Sequence, residues 1–341
     1  MRRELVCVEP GTPPRLAVRD APEPRPAAGE VLVRVQAASV NPIDVKRAAG
    51  YGRRMFSLKG AARAPFVLGN DLAGVVEAVG ARATRFSPGQ KVFGLVGARR
   101  AGGTHASLVA VPQDLLRPAP GETDPAALAV LPYSFTTLWL ALRAIGLGET
   151  RARGARVLIH GATGGLGRLA MQLLVGWGCR ITAICGRGQR AVAEALDVQL
   201  AVERWPGCLD VLRPDYDAVL NFGSWDDDAA LASRLAPGAL GHATTVHPLL
   251  GNFDRLGWLR GAAASRREWK AVRAVVASRA PQARYAWTVF RPDREALDAL
   301  ADGVRARRLA LPVGIARPLD QADAAFAHVS AGLAGKAVLL P

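Results

Sequence analysis

The chain is poor in cysteine, with four in 341 residues, and Cys7, Cys179, Cys185 and Cys208 form no C-x-x-C pair and no spacing that alternates with histidine. Neither a disulfide framework nor a zinc ribbon is predicted, and a reducing cytoplasm fits. Aromatic residues make up only 6% of the chain, and the 44 Lys and Arg, set against 29 Asp and Glu, are scattered rather than clustered. A nucleic-acid stripe would concentrate charge on one element beside stacking aromatics, so no specific nucleic-acid partner is expected. The net charge of +15 still favours anionic ligands. Uninterrupted apolar runs are also missing. The opening MRRELVCVEPG breaks at Pro10 too early for a secretory core. The uncharged stretches Pro125 to Leu142 and Leu235 to Phe253 are broken by Pro132 and by Pro237, Gly238, His242, His247 and Pro248. They read as buried core, and no transmembrane segment is predicted.

Half of the residues are hydrophobic, enough for two compact domains with separate cores. Up to about Val111 the chain shows short β-type runs, EVLVRVQAASV (30–40), GVVEAVG (74–80), KVFGLVG (91–97) and HASLVAV (105–111), divided by turn signals. The texture changes after Asp124, which is placed to cap a helix beginning on Pro125. Beyond it come a strand VLIH (157–160), a glycine loop, a helix from about Gly165 to Trp177, a strand RITAIC (180–185), a helix from about Gln189 to Leu196 and a strand DAVLN (217–221). Strand and helix in alternation predict a parallel sheet with right-handed crossovers. A further helix (Asp226 to Leu235) and strand (Ala239 to Val246) extend it. The Arg- and Trp-rich stretch from Gly257 to Arg284 reads as an amphipathic surface helix. The tail carries a helix near Arg294 to Ala306 and a closing strand KAVLL.

The glycine loop, His160-Gly161-Ala162-Thr163-Gly164-Gly165-Leu166-Gly167, lies between a strand and a helix. In that setting glycines let the backbone approach a pyrophosphate, and the free N–H groups and dipole of the helix start neutralise its charge. An NAD site would place Asp or Glu at the end of the second strand, some twenty residues on, to accept from the ribose hydroxyls. The chain instead reads Cys185-Gly186-Arg187-Gly188-Gln189-Arg190, with Arg204 past the next strand. Without a carboxylate there, and with arginines to hold a 2′-phosphate, NADP(H) is the expected cofactor.

NPIDVKRAAGYG (41–52), LGNDLAGVVEAVG (68–80), LPYSFTTLW (131–139) and HGATGGLG (160–167) occur in an order that resembles the quinone oxidoreductase branch of the medium-chain dehydrogenase/reductases. RAAGYG, TAIC and PLLGNFDRLGW (248–258) bring it nearest to the reticulon-4-interacting protein group. The resemblance implies an α/β fold with a GroES-like, mostly-β catalytic domain from residues 1–124 and 284–341 and a doubly wound Rossmann NADP(H)-binding domain from 125–283. It sets Thr137 beside the nicotinamide, Ala162, Thr163, Gly164, Gly165, Leu166 and Gly167 around the pyrophosphate, and Asn221 with Gly223 on the nicotinamide-ribose side. Gly186, Arg187, Arg190 and Arg204 fall to the 2′-phosphate, and Asn41, Lys46, Tyr51 and Tyr133 to the substrate side.

Zinc-dependent relatives use Cys where this chain has Asn41 and His where it has Asn70, and neither amide replaces a thiolate or imidazole as a tight ligand. The structural zinc lobe is replaced by GARRAGGTHASLV after Val96. No metal is expected, so the acceptor must bring its own electrophilicity, as a quinone does. Reduction of an enone or 2-alkenal double bond is the alternative, and a non-catalytic nucleotide- or RNA-binding protein is an alternative of another class. The Gly186 and Arg204 positions depart from the hydroxyl residue and tyrosine frequent in the family. Relatives commonly pair Rossmann sheets edge to edge, which implies a homodimer.

Overall fold

A computed structural model describes residues 1–98 and 102–341. Arg99, Arg100 and Ala101, within the GARRAGGTHASLV segment expected to lack a zinc lobe, lie outside the described residues.

The first strands follow from alternation. In β3 (Glu30–Val40), Val31, Val33 and Val35 turn inward while Arg34 and Gln36 face out. It follows the hairpin of β1 (Arg2–Glu9) and β2 (Arg15–Ala21), two strands the sequence reading passed over. After β4 (Phe66–Val67), β5 (Asp71–Val79) pairs antiparallel with β3, β6 (Lys91–Leu95) with β5, β7 (Leu108–Pro112) with β3, and β8 (Leu116–Pro118) with β6. Val31, Val33, Leu72, Val76, Val92, Val109 and Leu116 form one core of this unit. The short helix Pro125–Ala129, capped by Asp124 Oδ1 accepting from Ala126 N at 3.0 Å, packs on β3 and β5.

The second unit is a six-stranded sheet built from β9 (Arg156–His160), β10 (Arg180–Cys185), β11 (Leu200–Glu203), β12 (Ala218–Asn221), β13 (Gly241–Thr244) and β14 (Arg284–Trp287). Every pairing is parallel, in the order β11-β10-β9-β12-β13-β14. Counted from β9 this is the doubly wound dinucleotide-binding order, and its crevice opens where the winding reverses, between β9 and β12. The helix Pro132–Ile145 and that from Gly165 to Gly176 flank the loop-bearing strand in sequence. The segment Pro125–Ile145 has the length and composition of a membrane span, yet 72% of its most apolar window is buried within protein. The Arg- and Trp-rich helix runs Leu249–Arg279 and breaks at Gly257, whose φ of 77° and ψ of −173° are not helical.

The chain then returns to the first unit. β15 (Val313–Pro318) pairs parallel with β16 (Lys336–Leu340), and β16 pairs antiparallel with β3, setting Ala337 opposite Val40. The two compact units are Met1–Tyr133 with Arg291–Pro341, and Ser134–Phe290. The expected boundaries at 124/125 and 283/284 therefore move. Pro125–Ala129 packs on the first unit's strands, and β14 is hydrogen-bonded into the parallel sheet, so residues 284–287 belong with the second unit.

Candidate functional site

The glycine loop of the second unit leaves β9 and is held against β10, because Gly161 N and Ala162 N both donate to Ile184 O, at 3.1 and 3.0 Å. Gly164 stands at the N-cap with no side chain to cap the helix, so the first-turn N–H groups of Gly165, Leu166 and Gly167 keep the donors an anion would use. A Cβ on Gly167 would lie 2.4 Å from the carbonyl oxygens of both Gly161 and Ala162, so only glycine lets the helix start this close to the strand end. These residues fit the pyrophosphate of a dinucleotide. Thr163 Oγ1 bonds Gln189 Oε1, tying the loop to the turn after β10. Thr137 is buried on the helix Pro132–Ile145.

Gly186, Arg187 and Arg190 are exposed on the turn after β10, and Arg204 N donates to Cys185 O at 2.8 Å. The expectation that no carboxylate faces this turn needs correction. Cys185 and Glu203 are register partners in β10 and β11, and Glu203 Oε1 accepts from Gly188 N at 2.9 Å. The acid is absent from the end of the second strand but present on its neighbour. The arginines are also partnered: Arg190 Nε donates to Glu194 Oε1 at 2.7 Å, and Arg204 donates to Asp227 Oδ2 from Nη2 at 2.9 Å and Nε at 3.1 Å.

Asn221, at the end of β12, is fully buried, and all its amide positions are used. Oδ1 accepts from Gly223 N at 3.1 Å, while Nδ2 donates to Ser224 O at 2.7 Å and to Asp228 Oδ1 at 2.8 Å. His160 Nδ1 sits 3.0 Å from Asn221 Oδ1, which makes that ring nitrogen the donor, and its Nε2 faces Asp227 Oδ2 at 3.5 Å. A Cβ on Gly223 would lie 2.6 Å from His160 Cε1, so the loop after β12 rests on the imidazole face. Burial lowers the pKa of His160, against the opposing pull of Asn221 and Asp227.

Behind this loop Asp228 accepts from His242 Nε2 at 2.8 Å and from Tyr285 Oη at 2.7 Å, and Trp287 Nε1 donates to Tyr285 Oη at 2.7 Å. Burial works against the ionised Asp228, but His242, Asn221 and Tyr285 outweigh it and keep the carboxyl below its ordinary range. Burial and the neighbouring Asp228 raise Tyr285 instead. None of His242, Tyr285 and Trp287 was singled out from the sequence as part of a site. Their residue types carry no motif, and strand register alone brings them together.

In the first unit Asn41 does not present its amide as a substrate-side donor. It is fully buried, with Nδ2 donating to Ser39 Oγ and Asp71 Oδ2, both at 2.9 Å, while Oδ1 accepts from Lys336 Nζ at 2.5 Å. Asp71 also accepts from Ser39 Oγ and from Tyr133 N, each at 2.5 Å. Burial lifts the Asp71 pKa to about 6, although Lys336, Ser39, Asn41 and Tyr133 oppose the rise. Burial lowers Lys336, and Asp71 and Asp44 hold it up. Asp71 and Lys336 were not among the sequence candidates. The register of β16 on β3 delivers Lys336 to Asn41 from almost three hundred residues away.

The other expected substrate-side residues remain accessible. Lys46 is exposed with Nζ 5.7 Å from the ring centroid of half-buried Tyr51, and Tyr133 is half-buried. Asn70, at the second zinc-ligand position of the relatives, donates Nδ2 to Val96 O at 2.9 Å. Among the described residues no group of three or more His, Cys, Asp and Glu is arranged to hold a metal ion.

The known proteins this chain resembles fit both units. Residues 27–121 match the alcohol dehydrogenase GroES-like domain. The human mitochondrial NAD(P)H oxidoreductase RTN4IP1 is 30% identical over 335 residues, covering 91% of this chain and 81% of the relative. Mitochondrial reticulon-4-interacting protein 1 of Caenorhabditis elegans is 32% identical over 249 residues, covering 67% and 66%. Among solved structures, the quinone oxidoreductase of Coxiella burnetii aligns with a TM-score of 0.81 at 22% identity over 100% of this chain and 99% of that one, a likeness of fold. With its GroES-like segment and a glycine loop at the reversal of a doubly wound sheet, the chain belongs to the RTN4IP1 family of NAD(P)H oxidoreductases.

Proposed function

We propose that this oxidoreductase transfers hydride from NADPH to a quinone without using zinc. What supports the dinucleotide most is the Gly167 cradle, where any side chain would collide with two carbonyl oxygens. NADPH, when bound, supplies the hydride. Gly164, Gly165, Leu166 and Gly167, with Ala162 and Thr163, hold the pyrophosphate; Gly186, Arg187, Arg190 and Arg204 receive the 2′-phosphate; Thr137, Asn221 and Gly223 fix the nicotinamide end. Independence from zinc is supported by Asn41 and Asn70, whose amides are committed to protein partners. Without a Lewis acid the protein must orient the acceptor and donate hydrogen bonds to the oxygen on which charge develops. Lys46 Nζ and the phenols of Tyr51 and Tyr133 are the donors we assign to that task. Asn41 instead anchors Asp71 and Lys336.

The four unpaired cysteines suit a reducing compartment, and we keep the cytoplasm as the proposed location, although the named relatives are mitochondrial. We also propose a homodimer formed through the outer edge of β14, one of the two ends of the parallel sheet. An acceptor panel tests the reaction. NADPH oxidation with benzoquinone or phenanthrenequinone, and little with 2-hexenal, is the expected result, whereas turnover with hexenal alone would make the protein an enone reductase.

A further inference from the structure

The arginines that recommend NADPH are matched by acids that the sequence order hides. Three sets of donors around the β10 turn are engaged: Arg190 by Glu194, Arg204 by Asp227, and the N–H of Gly188 by Glu203. They are not equivalent. Arg190 and Glu194 form an exposed pair one helical turn apart, the kind that contributes little and yields easily. Asp227 is only 25% exposed and takes two donors of Arg204 on one oxygen. Glu203 occupies a backbone N–H, which cannot rotate away to meet another ligand.

We propose that Glu203 and Asp227 are specificity-determining carboxylates of the dinucleotide site, and that together they limit its preference for NADPH over NADH. The inference rests on the proposed dinucleotide reading of the glycine loop. A carboxylate only accepts hydrogen bonds, so Glu203 suits the ribose hydroxyls of NADH and repels a 2′-phosphate. It stands beside Cys185 through strand pairing and so fills, from β11, the place usually taken by an acid on the preceding strand. Asp227 acts through Arg204, whose guanidinium must leave one anion before it serves another.

Full-length protein is titrated with NADPH and NADH, and separately with 2′,5′-ADP and 5′-AMP, which differ by the phosphate in question. The variants are Glu203→Gln, Asp227→Asn, Arg204→Ala and the Asp227→Asn/Arg204→Ala pair. Wild type should favour NADPH by no more than about tenfold. Each acid variant should tighten 2′,5′-ADP by about fivefold or more, while 5′-AMP stays within about twofold for Asp227→Asn and weakens together with NADH for Glu203→Gln. The gain from Asp227→Asn should vanish when Arg204 is Ala, a coupling that a merely structural Asp227 would not produce. An unchanged ratio between the two nucleotides in both acid variants overturns the proposal, as does an equal loss of both with thermal stability intact. Failure of wild type to bind any of the four ligands rejects the dinucleotide reading itself, and the proposal with it.

Discussion

Asp71 is a fully buried carboxyl with a pKa lifted to about 6, and its proton is held more tightly in the folded protein than in the unfolded chain, where it titrates near 3.8. Its contribution to stability is therefore complete below about pH 4 and lost as the pH rises through about 6. Relative to Asp71→Asn, wild type should lose roughly 3 kcal/mol across that window and then level off, as read by urea unfolding at a series of pH values. A difference that does not vary with pH would contradict the assignment. Gly167 gives a sharper test of the cradle. Gly167→Ala should weaken NADPH binding by at least about tenfold, measured by fluorescence titration, because its Cβ meets two backbone oxygens 2.4 Å away. At this scale the sequence was readable where chemistry is written in one short run, as in HGATGGLG. It was opaque where partners come from distant strands. Nothing around Asn41 in the sequence announces Lys336, and nothing after Cys185 announces Glu203.

The loop after β12 depends on three strands at once. Asp228 joins the end of β12, through Asn221, to His242 of β13 and Tyr285 of β14. Tyr285→Phe removes one donor from a buried carboxylate and should cost about 1–3 kcal/mol of unfolding free energy, measured in urea. A loss indistinguishable from zero would mean that His242 and Asn221 alone satisfy Asp228. Periodicity located β3, β9, β10 and the helix at Arg294–Arg305 closely. It missed β14 because ARYAW follows an Arg-rich helix with no glycine or proline inside the strand, and the next domain was expected to begin there. It also missed the onset of the long helix at Leu249, since Gly257 lies within PLLGNFDRLGW and reads as a start rather than a break.

For the whole molecule, the family and the two-part architecture were legible because the motifs occur in family order along nearly the full chain. Net charge was a weaker guide. The +15 excess suggested anionic ligands, but Arg190 and Arg204, expected to receive a phosphate, already have acidic partners in space. What charge alone cannot decide is the chemistry that this scaffold performs. The most direct measurement is NADPH oxidation with benzoquinone by protein dialysed exhaustively against a chelator, with bound metal assayed in the same sample. Steady turnover at an undiminished rate in metal-free protein is predicted. Loss of turnover on chelation, restored by added zinc, would contradict the claim that Asn41 and Asn70 mark a metal-independent quinone reductase.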